Sequence, residues 1–252
     1  MIPMSYTIID VLKERDIMNI NSRQVVNVRI FHATPSVPAV DVYLNDRLVM
    51  ENLQFKQSTD YITLPKGNYV VKLYNANTGD LMLNQSIMIN ENRYITIIAL
   101  SDANQIGLIS LPDKSKTIPV EDLEEEMINN EWTASPNQSM MFNLPSQRDN
   151  RKEIQEPNVS IRFVHLSPNT PSVDVSLDGS PLFSDIIYKE SSNYVDIVPR
   201  TYTLTVTAHN TNEVLLRIDQ LVFRPNEVKT IYLTGLLGGT PKLETVILMD
   251  GR

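Results

Sequence analysis

The pattern of apolar and polar positions predicts two sets of short β-strands. Apolar residues alternate with polar ones over runs of five to ten residues, and the runs are separated by Pro, Asn, Asp and Gly, which is typical of strands with one buried face. The predicted strands in the first half are Val25–Phe31, Ala39–Leu44, Thr59–Leu64, Asn68–Tyr74, Leu81–Ile89, Tyr94–Leu100 and Gln105–Leu111. Those in the second half are Val159–His165, Ser172–Leu177, Asn193–Val198, Tyr202–Ala208, Glu213–Val222, Val228–Thr234 and Lys242–Met249.

The second half of the chain repeats the first. The segment Val28–Tyr74 reappears at Ile161–Thr207 without a gap, 133 residues later. Identical pairs mark the match: His32 and His165, Pro35 and Pro168, Pro38 and Pro171, Asp41 and Asp174, Lys56 and Lys189, Tyr61 and Tyr194, and Tyr69 and Tyr202. Seven predicted strands per repeat favour an immunoglobulin-like antiparallel β-sandwich over a barrel. We therefore predict an all-β protein with tandem sandwiches over residues 25–111 and 159–252.

Residues 112–158 separate the repeats and are too long for an ordinary loop. They hold ten acidic and five basic residues, so most of the formal charge of -8 lies there. After Pro119, apolar residues fall on one helical face, at Val120, Leu123, Met127 and Ile128. We predict an acidic linker with a short amphipathic helix, followed by a tether over residues 135–157 that proteases cleave to release two folded fragments.

Residues 1–24 form an N-terminal extension that precedes the first repeat. Its apolar stretch consists of Tyr6, Ile8, Ile9, Val11 and Leu12. This stretch suits a strand that adds to an exposed sheet edge of a neighbouring molecule. The alternative is a strand or short helix that packs on its own first repeat, and the periodicity does not decide between them.

Composition excludes several classes of function. The chain has no cysteine, which excludes disulfides, thiolate nucleophiles, Cys-ligated zinc and iron–sulfur clusters. Neither repeat has a basic stripe with interleaved aromatic residues, so we expect no nucleic-acid partner. No long apolar run predicts a signal peptide or a membrane span in this sequence. The alternative is a mature secreted form from which a signal has been removed.

The histidines of the repeated motif lie at the ends of apolar rows. His32 continues the row of Val28 and Ile30, and His165 has the same position in the second repeat. We interpret each as a partly buried ring that satisfies backbone groups of the following Pro-bounded loop; the alternative is a ligand or catalytic role. Neither His-x-His nor His-x-x-x-His spacing occurs, so we expect no metal site.

Arg29 and Asp41, like Arg162 and Asp174, alternate with the apolar rows and so point away from the core. We predict a cross-strand Arg–Asp pair on the outer face of each repeat, rather than a calcium site, because the loops lack closely spaced Asp, Asn and Gly. Nucleophile elbows, phosphate-binding loops and nucleotide fingerprints are missing from the sequence, so we expect no enzyme and no cofactor. The tyrosines fit the core or rim first and a sugar- or peptide-binding surface second.

The motif His-x-[Ser/Thr]-Pro-x-x-Pro-x-Val-Asp-Val starts at His32 and at His165, and in the first repeat Tyr-x-x-x-Pro-x-Gly-x-Tyr follows at Tyr61–Tyr69. These motifs resemble the bacterial domain-of-unknown-function 4397 family over both repeats. The resemblance implies β-sandwich modules, commonly in tandem on secreted or surface proteins, with no assigned catalytic residues. Some spore-surface and spore-appendage proteins are made in the mother cell and never cross a membrane, so such a location is compatible with both the resemblance and the N-terminus.

These observations together predict a non-enzymatic structural or adhesive surface protein that self-assembles through its N-terminal segment. Its partners would be copies of itself or other proteins of a bacterial spore or cell surface. The alternative is a module that binds carbohydrate or cell-wall material through exposed tyrosines and loops.

Overall fold

The computed structural model describes residues 25–90, 94–102, 105–115, 158–211 and 213–251. Within these residues the protein is all-β, with sixteen strands that form two sandwich-like domains, one for each repeat. The predicted N-terminal segment and the predicted helix after Pro119 lie outside the described residues. No helix in the described part of the chain is long and apolar enough to cross a membrane.

The first repeat contains eight strands in two four-stranded sheets. The strands are β1 (Val25–His32), β2 (Val40–Leu44), β3 (Arg47–Leu53), β4 (Ile62–Pro65), β5 (Gly67–Asn75), β6 (Leu81–Ile89), β7 (Tyr94–Asp102) and β8 (Gln105–Pro112). One sheet has the order β4-β1-β7-β8 and the other has the order β3-β2-β5-β6.

The second repeat has the same architecture. Its strands are β9 (Val159–His165), β10 (Val173–Leu177), β11 (Ser180–Ile186), β12 (Val195–Ile197), β13 (Thr201–Ala208), β14 (Val214–Val222), β15 (Val228–Thr234) and β16 (Glu244–Met249). The sheet orders are β12-β9-β15-β16 and β11-β10-β13-β14, which match the first repeat strand for strand.

Alternating side chains build the core of each sandwich. Val28 and Ile30 of β1 point inward from one sheet, and Val42 and Leu44 of β2 point inward from the other; all four are fully buried in one cluster. The corresponding strands of the second repeat contribute Ile161, Phe163, Val175 and Leu177 to a separate cluster. Burial of apolar area at about 25 cal/mol per Å² makes such a core the main stabilising contribution of each repeat.

Two features differ from the sequence-based prediction. Each repeat has eight strands rather than seven, because β3 and β11 were missed. The sandwiches are also not wholly antiparallel, since β1 pairs with β7 in parallel and β9 pairs with β15 in parallel. The first strand of each repeat therefore lies inside its sheet, between a strand from the middle of the repeat and one from near its end.

The turns from β4 to β5 and from β12 to β13 connect the two sheets of each sandwich, and a tyrosine makes the same hydrogen bond at both although their sequences differ. Pro65-Lys66-Gly67 in the first repeat corresponds to Val198-Pro199-Arg200 in the second. The Tyr69 hydroxyl donates to the carbonyl of Pro65 at 2.8 Å, and the Tyr202 hydroxyl donates to that of Val198 at 2.9 Å. The tyrosine four residues downstream thus ties each turn, whatever the residues within it.

Candidate functional site

The motif histidines are buried at the ends of β1 and β9. The Nδ1 atom of His32 accepts from the backbone N–H of Thr34 at 3.3 Å, and its Nε2 atom lies 3.2 Å from the carbonyl of Pro38. His165 makes the same contacts with Ser167 and the carbonyl of Pro171. Since a carbonyl accepts only, Nε2 carries the proton and donates, while Nδ1 accepts. Both rings hold the loop that follows the strand.

We predict that His32→Ala and His165→Ala each lower the free energy of unfolding by about 1–3 kcal/mol, because each leaves buried loop groups without a partner. Burial lowers the pKa of both rings below the ordinary value of 6.5. The unfolded chain therefore takes up protons first, so the stabilisation is complete above pH 6.5 and is lost as the pH falls from there through the folded-state pKa values.

Urea unfolding of the wild type and variants between pH 5 and 8 measures both effects. His32→Gln is the matched control, because glutamine provides an amide donor but does not titrate. A His32→Ala variant that unfolds at the wild-type urea concentration, with an unaltered pH dependence, would contradict the structural role.

The motif aspartates form hydrogen bonds with β3 and β11, the strands that the sequence pattern does not predict. Asp41 accepts the backbone N–H of Asn52 in β3 at 2.8 Å, and Asp174 accepts that of Asp185 in β11 at 2.8 Å. Asn52 and Asp185 have φ of 53° and 55°, and the strand pairing shifts register around them. Each motif aspartate therefore fixes a β-bulge in the neighbouring strand.

The predicted Arg29–Asp41 and Arg162–Asp174 pairs are wrong. β1 and β2 belong to different sheets, as do β9 and β10, so the residues of each pair are not cross-strand neighbours. The arginines do point away from the core of their own sandwich. They are nevertheless only 4 % and 3 % exposed, because the other repeat covers them.

Each of the two arginines pairs with an aspartate of the opposite repeat. The guanidinium of Arg29 bonds with Asp250 of the second repeat, and that of Arg162 bonds with Asp113 of the first. Each arginine also donates Nη1 to a backbone carbonyl of the opposite repeat, at 2.6 Å to Met249 and at 2.7 Å to Pro112. Both carboxylate side chains are fully buried, so four charges lie in one closed cluster. We call these four residues the interdomain charge cluster.

Uncharged side chains complete the cluster in equivalent pairs. Nε of Arg29 donates to Thr96 at 2.7 Å, and the Tyr61 hydroxyl donates to Asp113 at 2.7 Å. In the other half, Arg162 donates to Thr230 at 2.7 Å, and Tyr194 donates to Asp250 at 2.8 Å. The rings of Tyr61 and Tyr194 also lie under the guanidinium groups, at 4.8 and 4.7 Å. The cluster thus consists of two equivalent halves.

Burial shifts the pKa values of Asp250 and of the two tyrosines in the same direction. Burial raises the pKa of Asp250 above its ordinary value and the nearby Asp113 carboxylate adds to the shift, whereas Arg29 and Arg162 oppose it. Burial also raises the pKa of Tyr61 and Tyr194, so both phenols stay protonated as donors. These side chains are occupied with one another, which is the arrangement of a structural ion-pair network.

A third apolar cluster, separate from the two sandwich cores, lies at the contact between the repeats. Its buried residues come from both repeats: Phe31, Ala33, Ile98, Leu100, Val164, Leu166 and Tyr232. The rings of Phe31 and Tyr232 are 4.7 Å apart. At its rim, Lys56 pairs with Glu244 at 3.0 Å, and the Tyr188 hydroxyl donates to the carbonyl of Ser101. The contact therefore has the apolar core and polar rim of a protein–protein interface.

Sequence reasoning did not identify Asp113 and Asp250 as the partners of the arginines. A signal was available, because each aspartate directly follows the last strand of its repeat, after Leu111-Pro112 and after Leu248-Met249. Asp113 falls within the predicted linker, and Asp250 lies beyond the gapless match between the repeats. The alignment of the repeats therefore does not show that the two aspartates are equivalent.

A pair of half-buried tyrosines lies on the surface of the first repeat. Tyr43 of β2 and Tyr74 of β5 meet edge to face, with ring centroids 5.2 Å apart. With Asp41, Asp46 and Gly79 they line an open depression of about 340 Å³. The corresponding residues of the second repeat are Ser176 and Thr207, so the pair is particular to the first.

The edge strands β6 and β14 differ in how they are protected. β6 has nine residues with neither a charge nor a proline, and its Leu81 and Met88 are 51 % and 66 % exposed. β14 occupies the same edge of the second repeat but carries the ion pair of Arg217 and Asp219. Charges on edge strands disfavour further strand addition, so β14 is better protected than β6. The Gln85 side chain of β6 accepts the backbone N–H of Leu108 in β8 at 3.2 Å.

The described residues contain no group of three or more His, Asp or Glu side chains placed to hold a metal ion.

No curated protein matches the chain. Among solved structures, the C-terminal domain of AlgF from P. aeruginosa is similar at 15 % identity, covering 37 % of this chain and 98 % of that one, with a TM-score of 0.27.

Two further similar structures cover most of this chain. The carbohydrate-binding module CBMbc from Eubacterium rectale, solved with maltoheptaose, has 8 % identity and a TM-score of 0.26, and the match covers 90 % of this chain and 98 % of that one. A putative adhesin from Bacteroides ovatus has 11 % identity and a TM-score of 0.21, with 96 % of each chain covered.

The family described as "Domain of unknown function (DUF4397)" matches residues 26–125 and 159–252. These two segments contain the two sandwiches and most of the chain. The protein therefore belongs to the DUF4397 family and carries two copies of its domain in tandem.

Proposed function

We propose that the protein is a non-enzymatic structural or adhesive component of a bacterial spore or cell surface. Its copies join when the stretch Tyr6–Leu12 of one molecule adds as a strand to the sheet edge of the next. The observation that supports this most is the open edge at β6, which offers unpaired backbone groups and apolar side chains without a charge to repel a partner.

The placement of the motif residues supports a structural role. The rings of His32 and His165 hold loops, Asp41 and Asp174 hold bulges, and both arginines bind the opposite repeat. The residues with the most chemically versatile side chains are thus engaged in maintaining the fold, and the edge of β6 remains as a surface for partners.

Deletion of residues 1–20 tests the proposal. We expect full-length protein to form large species in sedimentation velocity and filaments or sheets in electron microscopy, and the truncated protein to sediment as a monomer with unchanged thermal unfolding. Lysines at Ser86 and Met88, on the exposed face of β6, should have the same effect, whereas Val214→Lys on β14 is the matched control that should leave assembly intact.

A truncated protein that assembles like the full-length chain would overturn the role of the N-terminal segment. Assembly that survives the β6 lysines but not the truncation would reject β6 as the acceptor edge and leave the donor segment in place.

Carbohydrate or cell-wall binding is a second candidate, favoured by the half-buried pair of Tyr43 and Tyr74, which lines an open depression beside two carboxylates. Aromatic rings with a polar tip and adjacent acceptors are suited to sugars. If this function holds, purified peptidoglycan or soluble glucans should retain the protein, and Tyr43→Ala with Tyr74→Ala should abolish retention without changing self-association.

A further inference from the structure

We propose that the contact between the two repeats is exchangeable between molecules, so that the first repeat of one chain docks on the second repeat of another copy. The residues that carry this inference all lie within the two repeats, and the inference therefore goes beyond the proposed strand addition.

The symmetry of the contact is the first argument. Within the interdomain charge cluster each polar interaction of one half has its equivalent in the other, from the arginine–aspartate pairs to the tyrosine and threonine hydrogen bonds. Such a reciprocal arrangement is the pattern of an isologous interface between two subunits. The surface of each repeat is therefore constructed to bind a separate folded partner rather than to extend one continuous core.

Burial of charge is the second argument. When the repeats separate, Arg29 and Arg162 lose carboxylates that the other repeat provides. The apolar surface around Phe31 and Tyr232 becomes exposed at the same time. An opened chain therefore exposes on each repeat the surface that the other repeat normally covers. A second copy of this chain carries both repeats and can cover either surface.

The connection between the repeats is the third argument. The Lys114 ammonium lies 2.6 Å from the Ser160 hydroxyl, so the chain leaves the first repeat and enters the second at nearly the same place. Yet 42 residues separate Ser115 from Asn158. The maximum reach of a chain of that length is roughly 140 Å, well beyond the gap to be bridged. The connection is long enough for the repeats of one chain to dock on different molecules.

Concentration decides which form prevails. The intramolecular contact is favoured in dilute solution, because the connected repeat is present at a high effective concentration. At high local concentration, as on an assembling surface, exchange of both repeats gives a closed dimer. Exchange of one repeat per chain leaves a free repeat at each end, so further copies can add.

Cross-linking across the rim pair tests the inference with full-length chains. The protein has no cysteine, so Lys56→Cys in one chain and Glu244→Cys in another provide unique reactive sites at a contact between the repeats. Both positions are about 40 % exposed, so neither substitution disturbs a core. The two variants are mixed at high concentration, partly unfolded in urea, refolded and treated with a short bis-maleimide.

We expect a cross-linked product of twice the chain mass, formed equally well when residues 1–20 are deleted from both chains. A chain with both substitutions should cross-link internally at low concentration, which establishes that the reagent spans the contact. The matched control is a mixture of Lys72→Cys and Asp46→Cys, a pair within the first repeat.

Absence of the mixed product, while the doubly substituted chain cross-links internally, would overturn the inference. Equal yields from the control mixture would also overturn it, because the product would then reflect random collision. Loss of the product only on deletion of residues 1–20 would assign the association to the N-terminal segment instead.

Discussion

Arg29→Met is expected to lower the free energy of unfolding by about 3–5 kcal/mol, because it leaves Asp250 as a buried carboxylate without its cation. Arg162→Met should have a similar effect through Asp113. Methionine preserves much of the apolar stem, so the variants report mainly on charge. Equilibrium unfolding in urea at pH 7 measures the loss.

Lys72→Met is the matched control for these arginine variants. Its ion pair with Asp46 lies at the surface, where solvent screens the attraction, so the substitution should change the free energy of unfolding little. Adding Asp250→Asn to Arg29→Met should restore part of the lost stability, since the orphaned charge is removed. If Arg29→Met destabilises the protein no more than Lys72→Met, the charge cluster does not stabilise the contact between the repeats.

Cleavage of the linker between Ser135 and Pro157 is expected to leave the two repeats bound to each other. The sequence alone predicts two released fragments, and the interdomain charge cluster and the apolar cluster around Phe31 change that expectation. Limited proteolysis followed by size-exclusion chromatography at micromolar concentration should give one peak that contains both fragments.

Arg29→Met combined with Arg162→Met provides the control for the cleavage experiment. The cleaved double variant should elute as two separate folded fragments, because the cores of the two repeats are distinct. Separate elution of the cleaved wild-type fragments would show that the contact is too weak to hold the repeats together.

Alternation of apolar residues was sufficient to predict most strands, and it failed where a bulge interrupts the alternation. In β3 the buried residues are Val49 and Leu53, four positions apart, with a bulge at Asn52 between them. A strict period of two would bury Glu51, so the alternation of apolar residues does not predict a strand here. β11 is interrupted in the same way at Asp185.

Long-range pairing was beyond what the pattern could show. Parity placed Arg29 on the face away from its core, and this position is correct. The identity of its partner depends on how the two repeats dock, which no local periodicity contains. A cross-strand aspartate was the nearest candidate in sequence, while the true partner lies 221 residues away.

The ribosome synthesises Arg29 long before its partner Asp250. At about 5–20 residues per second, a ribosome needs roughly 10–45 s to proceed from Arg29 to Asp250. During this interval the first repeat can complete its own sheets, since β7 and β8 are already made, but its arginine and the surrounding apolar surface stay exposed. The contact between the repeats can therefore form only after the ribosome has completed the second repeat, including Asp250.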